Sequence, residues 1–177
     1  MKDIFGTAIL DYQLGNYSED LITSTSISEA DSLPLPYLFR NYSEMPCLEK
    51  TALKLSRGTV LDIGCGAGSH SLYLKSKGLK VKSIDISAGA IEACRLRGLR
   101  QAHVLNVMDE TSSFDTLLLL MNGSGVFQSL ANTPFVLSHL KKLINPDGQI
   151  LIDSSDIKYM YENEIGILDG RHKRLLR

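Results

Sequence analysis

The sequence contains no tryptophan, few aromatic residues and no long apolar run. Its longest uninterrupted apolar stretch, Leu117 to Met121, is far shorter than the ~18 residues of a membrane-spanning helix, so we expect no membrane partner. The 19 Lys and Arg residues nearly balance the 20 Asp and Glu residues. This balance removes the usual electrostatic reason to expect a nucleic-acid partner.

Cysteine is also scarce, which limits the classes of site that the chain can carry. Cys47, Cys65 and Cys94 are odd in number and widely spaced, and no C-x-x-C pair is present. We therefore predict no metal site and no disulfide framework, and a reducing, cytoplasmic location. The first five residues include an early acid, Asp3, and no extended apolar stretch, which predicts the absence of a signal peptide.

The length of 177 residues predicts a single domain spanning residues 1–177. Residues 1–44 are rich in Gly, Ser, Thr and Pro, which favours a loop-rich amino-terminal cover. Regular patterning predicts a core over residues 45–153. The tail at 171–177 lacks an alternating pattern, and residues 154–177 are expected to form an incomplete carboxyl-terminal segment.

Strands and helices alternate through the core. Five short apolar segments read as strands, and the segments between them have helical periodicity, with a strong turn signal at 145–148. The predicted strands are Thr59–Ile63, Lys80–Ile86, Ala102–Val107, Phe114–Met121 and Gln149–Asp153. Strands that are apolar on both faces predict an α/β three-layer sandwich, with a mostly parallel sheet between helices.

The glycine-rich loop after the first of these strands is the most informative segment. Gly64, Gly66 and Gly68 alternate where a strand passes into a helix, at the sheet edge where α/β proteins bind ligands. A dinucleotide site would need its third glycine at position 69, which is Ser69, and Asp62 would repel a pyrophosphate. The spacing therefore favours a nucleoside ligand without phosphates, with Asp62 and Gly68 as parts of its site.

Asp85 ends the next strand, 21 residues beyond Gly64. A carboxylate at about this distance accepts hydrogen bonds from ribose hydroxyls in nucleotide-binding folds. The neighbouring Ile86 is placed to pack against an adenine face.

These segments resemble a known family. V-L-D-I-G-C-G-A-G, S-I-D-I-S, F-D-T-L-L-L-L-M-N-G and L-K-K-L-I-N-P-D-G-Q-I-L-I-D are similar to motifs of the class I S-adenosylmethionine-dependent methyltransferases, over about Tyr37 to Tyr161. The resemblance implies a Rossmann-like sheet of strand order 3-2-1-4-5, followed in the family by strands six and seven. It also implies S-adenosylmethionine as cofactor and S-adenosylhomocysteine as product.

The resemblance implies roles for individual residues. Gly64, Cys65 and Gly66 would line the methionine and ribose part of the cofactor, and Asp85 would hold the ribose hydroxyls. Near the adenine the family often has Asp followed by a small residue, whereas this sequence has Asn106-Val107.

Further residues are candidates beside the transferred group. By the same resemblance, Met121 and Asn122 would lie under the methyl group. Arg40 either faces the cofactor carboxylate or packs within the cover, and His70 and Asp153 have either structural or ligand roles. No residue is predicted as catalytic.

The sequence thus predicts methyl transfer to an O, N or S nucleophile of a small molecule. The alternatives are a non-catalytic S-adenosylmethionine-binding module, an inactive truncated paralogue and, third, an NAD(P)-dependent oxidoreductase. Only 24 residues follow Asp153, too few for a helix and two strands at ordinary lengths. We therefore expect strands six and seven to be missing, and a homodimer as one way to cover the edge of strand five.

Overall fold

The computed structural model describes residues 2–24 and 30–156. Its centre is a parallel sheet of five strands in the order β5-β4-β3-β6-β7. These strands are β3 (Thr59–Ile63), β4 (Lys80–Asp85), β5 (Ala102–Val104), β6 (Phe114–Leu119) and β7 (Ile144–Ile152). The order equals 3-2-1-4-5 for the five predicted strands, so the Rossmann-like α/β class is supported.

Helices cover both faces of this sheet. They are α1 (Ile4–Leu14), α2 (Leu35–Leu38), α3 (Cys47–Leu55), α4 (Ser69–Ser76), α5 (Ala88–Leu96) and α6 (Thr133–Lys142). Side chains alternate along a strand, so Leu61 and Leu117 lie in the core cluster under α6, whereas Val60 and Leu118 pack with α3 and α4. This alternation of buried residues produces the three layers.

The prediction of five strands, with strands six and seven missing, is wrong. Residues 2–24 and 30–156 contain seven strands, and in chain order the sixth and seventh are β6 and β7 of the parallel sheet. The two that the sequence did not reveal are β1 (Leu21–Thr23) and β2 (Asp31–Leu33), which pair antiparallel within the amino-terminal segment. Three-residue strands are too short to show a recognisable alternation, which is why composition indicated only loops there.

Strand β7 begins five residues earlier than predicted. The turn residues Asn145 to Gly148 lie within it, where the pairing with β6 shifts between Phe114↔Ile144 and Thr116↔Gln149. Asp147 takes a left-handed φ of 61° there. The turn signal therefore marks an irregularity inside a strand.

The predicted carboxyl-terminal segment lies outside the described residues beyond residue 156. The homodimer that would cover the last strand stays a prediction. Within residues 2–24 and 30–156, no helix is both long and apolar enough to cross a membrane.

Candidate functional site

The glycine loop between β3 and α4 lies at the carboxyl edge of the sheet. Gly64, Gly66 and Gly68 all have left-handed φ angles, of 72°, 51° and 80°. A Cβ at Gly68 would lie 2.5 Å from a methyl carbon of Leu99, whereas a Cβ at Gly64 or Gly66 would meet no atom within 4 Å. Gly68 is thus needed for packing, and the other two glycines border open space that a ligand can enter.

Asp85 holds this loop in place from the neighbouring strand. Its Oδ2 accepts a hydrogen bond from the Gly66 amide at 2.9 Å, and its Oδ1 accepts one from the Ser87 amide at 2.9 Å. Each carboxylate oxygen can accept more than one hydrogen bond, so Asp85 retains capacity for a ligand.

Two cavities meet at Gly64. The first, which we call the Asp85 cavity, has a volume of about 350 Å³. Of the predicted residues it is lined by Gly64, Asp85, Ile86, Asn106 and Val107. Asn106 also caps the short turn that follows, because its Oδ1 accepts from the Met108 amide at 3.0 Å.

The second, the Arg40 cavity, has a volume of about 550 Å³. The predicted residues Arg40, Gly64, Cys65, Gly66, Met121 and Asn122 line it, together with His70 and Asp153. Apolar side chains of the amino-terminal segment and of α3 complete its wall, among them Phe5, Leu33, Tyr37, Leu38 and Leu48.

Asp62, in contrast, lies behind the loop and lines neither cavity. It is buried, and its Oδ2 accepts a hydrogen bond from Ser71 Oγ at 2.6 Å. Burial raises the pKa of this carboxyl group. Asp62, like Gly68, is therefore separated from the predicted residues that line the two cavities.

Cys65 is a buried loop residue whose Sγ lies 3.9 Å from that of Cys94. The contact with Cys94 and burial raise the pKa of the Cys65 thiol. A thiol held in its protonated form is a poor nucleophile.

The loop that follows β6 has an unusual backbone. Met121 and Asn122 have left-handed φ angles of 61° and 62°. Asp153, at the end of β7, accepts hydrogen bonds from the amides of Met121 at 3.0 Å and Gly123 at 2.9 Å. Asp153 therefore shapes this wall of the Arg40 cavity, a role that its place in the sequence did not reveal.

A buried cluster of charged side chains, which the sequence did not predict, lies in the same cavity. Arg40 Nη2 donates to both carboxylate oxygens of Glu49 at 2.5 Å, and His70 Nε2 lies 2.7 Å from Glu49 Oε2. All three residues are more than nine-tenths buried. Burial raises the pKa of Glu49, but the hydrogen bonds with His70 and Arg40 outweigh it and leave that pKa below its usual value.

One signal in the sequence pointed to this cluster. Glu49 stands four residues before Leu53, so the two share one face of α3. Leu48 and Leu55 of the same helix are 60% and 55% exposed, whereas Glu49 is buried. The inward face of α3 is therefore the one that carries Glu49 and Leu53.

The cluster contains a polar atom that is not satisfied. Arg40 Nε is buried and has no hydrogen-bond partner among residues 2–24 and 30–156. Buried donors are normally paired, so an anionic ligand group in the cavity would complete this site. With the open space before Gly64 and Gly66, this atom shows that the residues fit a nucleoside ligand carrying a carboxylate.

Among the described residues, no group of three or more His, Cys, Asp or Glu side chains is arranged to hold a metal ion.

Comparison with known proteins agrees with this geometry. A family profile described as a methyltransferase domain matches residues 54–168. A crystal structure of an S-adenosylmethionine-dependent methyltransferase from Bacteroides fragilis, in complex with S-adenosylhomocysteine, is 43% identical with a TM-score of 0.88, and the match covers 94% of this chain and 70% of that one.

Two curated relatives match a smaller part of the chain. A malonyl-[acyl-carrier protein] O-methyltransferase of Serratia marcescens is 26% identical over 95 residues, which is 54% of this chain and 37% of that protein. A ubiquinone biosynthesis O-methyltransferase of Xanthomonas oryzae pv. oryzae is 25% identical over 111 residues, which is 58% of this chain and 45% of that protein. The chain spans less than half the length of these curated relatives.

These matches confirm the family and the cofactor that the sequence motifs predicted. The chain belongs to the S-adenosylmethionine-dependent methyltransferase family.

Proposed function

We propose that this chain transfers a methyl group from S-adenosylmethionine to an O, N or S nucleophile of a small molecule. The observation that carries the proposal is the junction of two cavities at Gly64, on a glycine loop held by Asp85. One cavity has the dimensions and polar groups for an adenosine, and the other has room for both the methionine part and an acceptor.

The Asp85 cavity is the proposed adenosine site. Asp85 would accept hydrogen bonds from the ribose hydroxyls, since each of its oxygens is engaged by only one backbone amide. Ile86, Asn106 and Val107 would contact the adenine. Gly64, Cys65 and Gly66 would contact the ribose and the methionine chain from the loop.

The Arg40 cavity is the proposed methionine and acceptor site. When bound, S-adenosylmethionine supplies a methyl group on a cationic sulfur, which is already activated for transfer. The protein therefore needs mainly to orient the two reactants and to exclude water. Arg40 would bind the methionine carboxylate through its unsatisfied Nε, and Met121 and Asn122 would lie beside the methyl group.

The apolar wall supports a small-molecule acceptor. Phe5, Leu33 and Leu38 face the cavity from the amino-terminal segment, so an acceptor with apolar surface would displace water from them. Two curated relatives with similar sequences are O-methyltransferases, which favours an oxygen nucleophile among the three.

Asp62 and Gly68 would support the site indirectly. Asp62 accepts from Ser71 on α4, and Gly68 allows α4 to pack closely against Leu99. Both would keep the loop in position without contacting the cofactor.

A thermal-shift titration tests the cofactor class. The full chain is mixed separately with S-adenosylhomocysteine, NAD and NADP, each at up to 100 times its dissociation constant. At that excess a specific ligand stabilises by about 2.7 kcal/mol, which raises the Tm by about 5–10 °C for a chain of this size. We expect this shift with S-adenosylhomocysteine alone, and a smaller one in Asp85→Asn at the same ligand concentration.

Stabilisation by a dinucleotide alone would contradict the proposal. Catalysis is tested separately, with S-adenosylmethionine carrying a radiolabelled methyl group and a panel of small phenols, carboxylic acids, amines and thiols. Binding of the cofactor without transfer to any acceptor would favour the non-catalytic binding module.

A further inference from the structure

The cluster formed by Arg40, Glu49 and His70 joins three separate segments of the chain. Arg40 follows α2, Glu49 lies on α3, and His70 lies in the first turn of α4. All three side chains line the Arg40 cavity, and all three are more than nine-tenths buried. A buried ion pair is a weak source of stability, because removing two charges from water costs nearly as much as their attraction returns. Its presence in a cavity therefore suggests a functional role.

We propose that Glu49 and His70 are positioning residues that hold Arg40 ready for the carboxylate of the methionine group. The inference rests on the proposed function and assigns roles to two residues that do not themselves contact the carboxylate. His70 fixes Glu49, and Glu49 fixes the guanidinium group of Arg40.

The contacts of Arg40 divide its guanidinium group into two parts. Nη2 is engaged by both oxygens of Glu49, and Nη1 donates to the carbonyl of Tyr37 at 2.5 Å. The planar group also stacks on the Tyr37 ring, 4.0 Å from its centroid. Only Nε is left without a partner among the described residues. The protein thus restrains Nη1 and Nη2 and leaves Nε as the nitrogen available to a ligand.

His70 completes the arrangement from the other side of Glu49. The hydrogen bonds from Arg40 and His70 hold the carboxyl group of Glu49 in its ionised form, so Glu49 accepts and His70 Nε2 donates. Because His70 holds the carboxylate from a separate segment, α4, Glu49 cannot follow Arg40 into other rotamers. Because arginine has a large side-chain entropy, a guanidinium group that is fixed before binding loses less freedom when the ligand arrives.

Two ligands that differ only in the amino-acid part distinguish positioning from ordinary packing. S-adenosylhomocysteine carries the carboxylate, whereas 5′-methylthioadenosine retains the adenosine and sulfur but lacks it. The variants are Glu49→Gln, His70→Ala and His70→Gln, since a glutamine amide can replace the Nε2 donor of histidine. Glu92→Gln, at an exposed position on α5, is the matched control.

Dissociation constants are measured by calorimetry on the full chain. We expect Glu49→Gln and His70→Ala to weaken binding of S-adenosylhomocysteine by about tenfold or more, the effect of losing a hydrogen bond to a charged group. Binding of 5′-methylthioadenosine should not change. His70→Gln should restore most of the affinity that His70→Ala loses, and Glu92→Gln should bind both ligands as the wild type does.

Equal losses for the two ligands would show that the cluster only stabilises the fold, and would overturn the inference. Unchanged affinity for S-adenosylhomocysteine in both Glu49→Gln and His70→Ala would also overturn it. If Glu49→Gln does not fold, the His70 pair tests the proposal alone. A wild-type chain that bound neither ligand would contradict the proposed function itself, an outcome distinct from equal losses in the variants.

Discussion

At the scale of single residues, Asp115 shows how a carboxylate far from the cavities stabilises the sheet. Its Oδ2 accepts from the amide and the hydroxyl of Thr59 at 2.6 and 2.8 Å, and its Oδ1 accepts from Asn145 at 2.9 Å. These groups lie at the starts of β3, β6 and β7. The hydrogen bonds from Thr59 and Asn145 lower the pKa of Asp115 to about 2.

This lowered pKa predicts a pH dependence of stability. The usual pKa of an aspartate is 3.8, so as the pH falls the unfolded chain binds a proton at Asp115 at a higher pH than the folded chain does. The contribution of Asp115 is therefore present above pH 3.8 and is lost as the pH falls towards about 2. We expect Asp115→Asn to lower the Tm at pH 6, and the difference from the wild type to shrink between pH 4 and pH 2.

Thermal unfolding measured across this pH range checks the prediction. Asp109→Asn, at an exposed position, is the control and should show no such convergence. A difference in Tm between Asp115→Asn and the wild type that stays constant down to pH 2 would argue against it.

At the scale of elements, the contact between α1 and α5 determines where the amino-terminal segment lies. The two helices meet at Gly6 and Gly89, and a Cβ on Gly89 would lie 2.3 Å from the carbonyl oxygen of Gly6. Asp3 joins the two helix starts, since its carboxylate accepts from the amides of Gly6 at 2.9 Å and Gly89 at 3.2 Å. This close approach brings Phe5 to the wall of the Arg40 cavity.

Gly89→Ala should therefore displace α1. The added methyl group meets backbone rather than a flexible side chain, and overpacking of this kind costs about 1–3 kcal/mol. We expect a lower Tm and faster proteolytic cleavage within residues 4–14.

Gly125→Ala is the matched control, because a Cβ there meets nothing within 4 Å and its φ is not left-handed. Its stability should differ little from that of the wild type. If Gly89→Ala matched Gly125→Ala in both assays, the close contact would not be what places α1.

At the scale of the whole molecule, the two edges of the sheet have different roles. The carboxyl edge carries the glycine loop, Asp85 and the loop after β6, whereas the amino edge carries the hydrogen bonds of Asp115. This division is the one expected for parallel sheets, in which ligands bind beyond the carboxyl ends of the strands.

Hydrogen exchange with and without S-adenosylhomocysteine should reveal this division. At exchange times short enough that only loops exchange, we expect the ligand to slow exchange at residues 64–68, 85–87 and 121–123. Residues 57–59 and 144–148, at the opposite edge, should exchange as before. Protection at the amino edge alone would place the ligand elsewhere.

The resemblance of the motifs to a known family was enough to predict the strand order of the parallel sheet. Gly64, Gly66 and Asp85 could be assigned to one edge of the sheet because strand, loop and helix follow one another directly and parallel strands end at the same edge. The cavities bring the predicted Ile86, Asn106, Val107, Met121 and Asn122 to the same edge. The sequence did not predict the two three-residue strands or the irregularity within β7, because such short segments have no distinctive period.

The sequence by itself determined the family, the cofactor and the position of the glycine loop between a strand and a helix, because these depend on residues close together in the chain. Only the tertiary structure decided that Asp62 is turned away from the cavities and that Arg40, Glu49 and His70 meet. Their contacts depend on how α3 and α4 are rotated against the sheet. That rotation follows from the burial of many side chains at once, which no local pattern records.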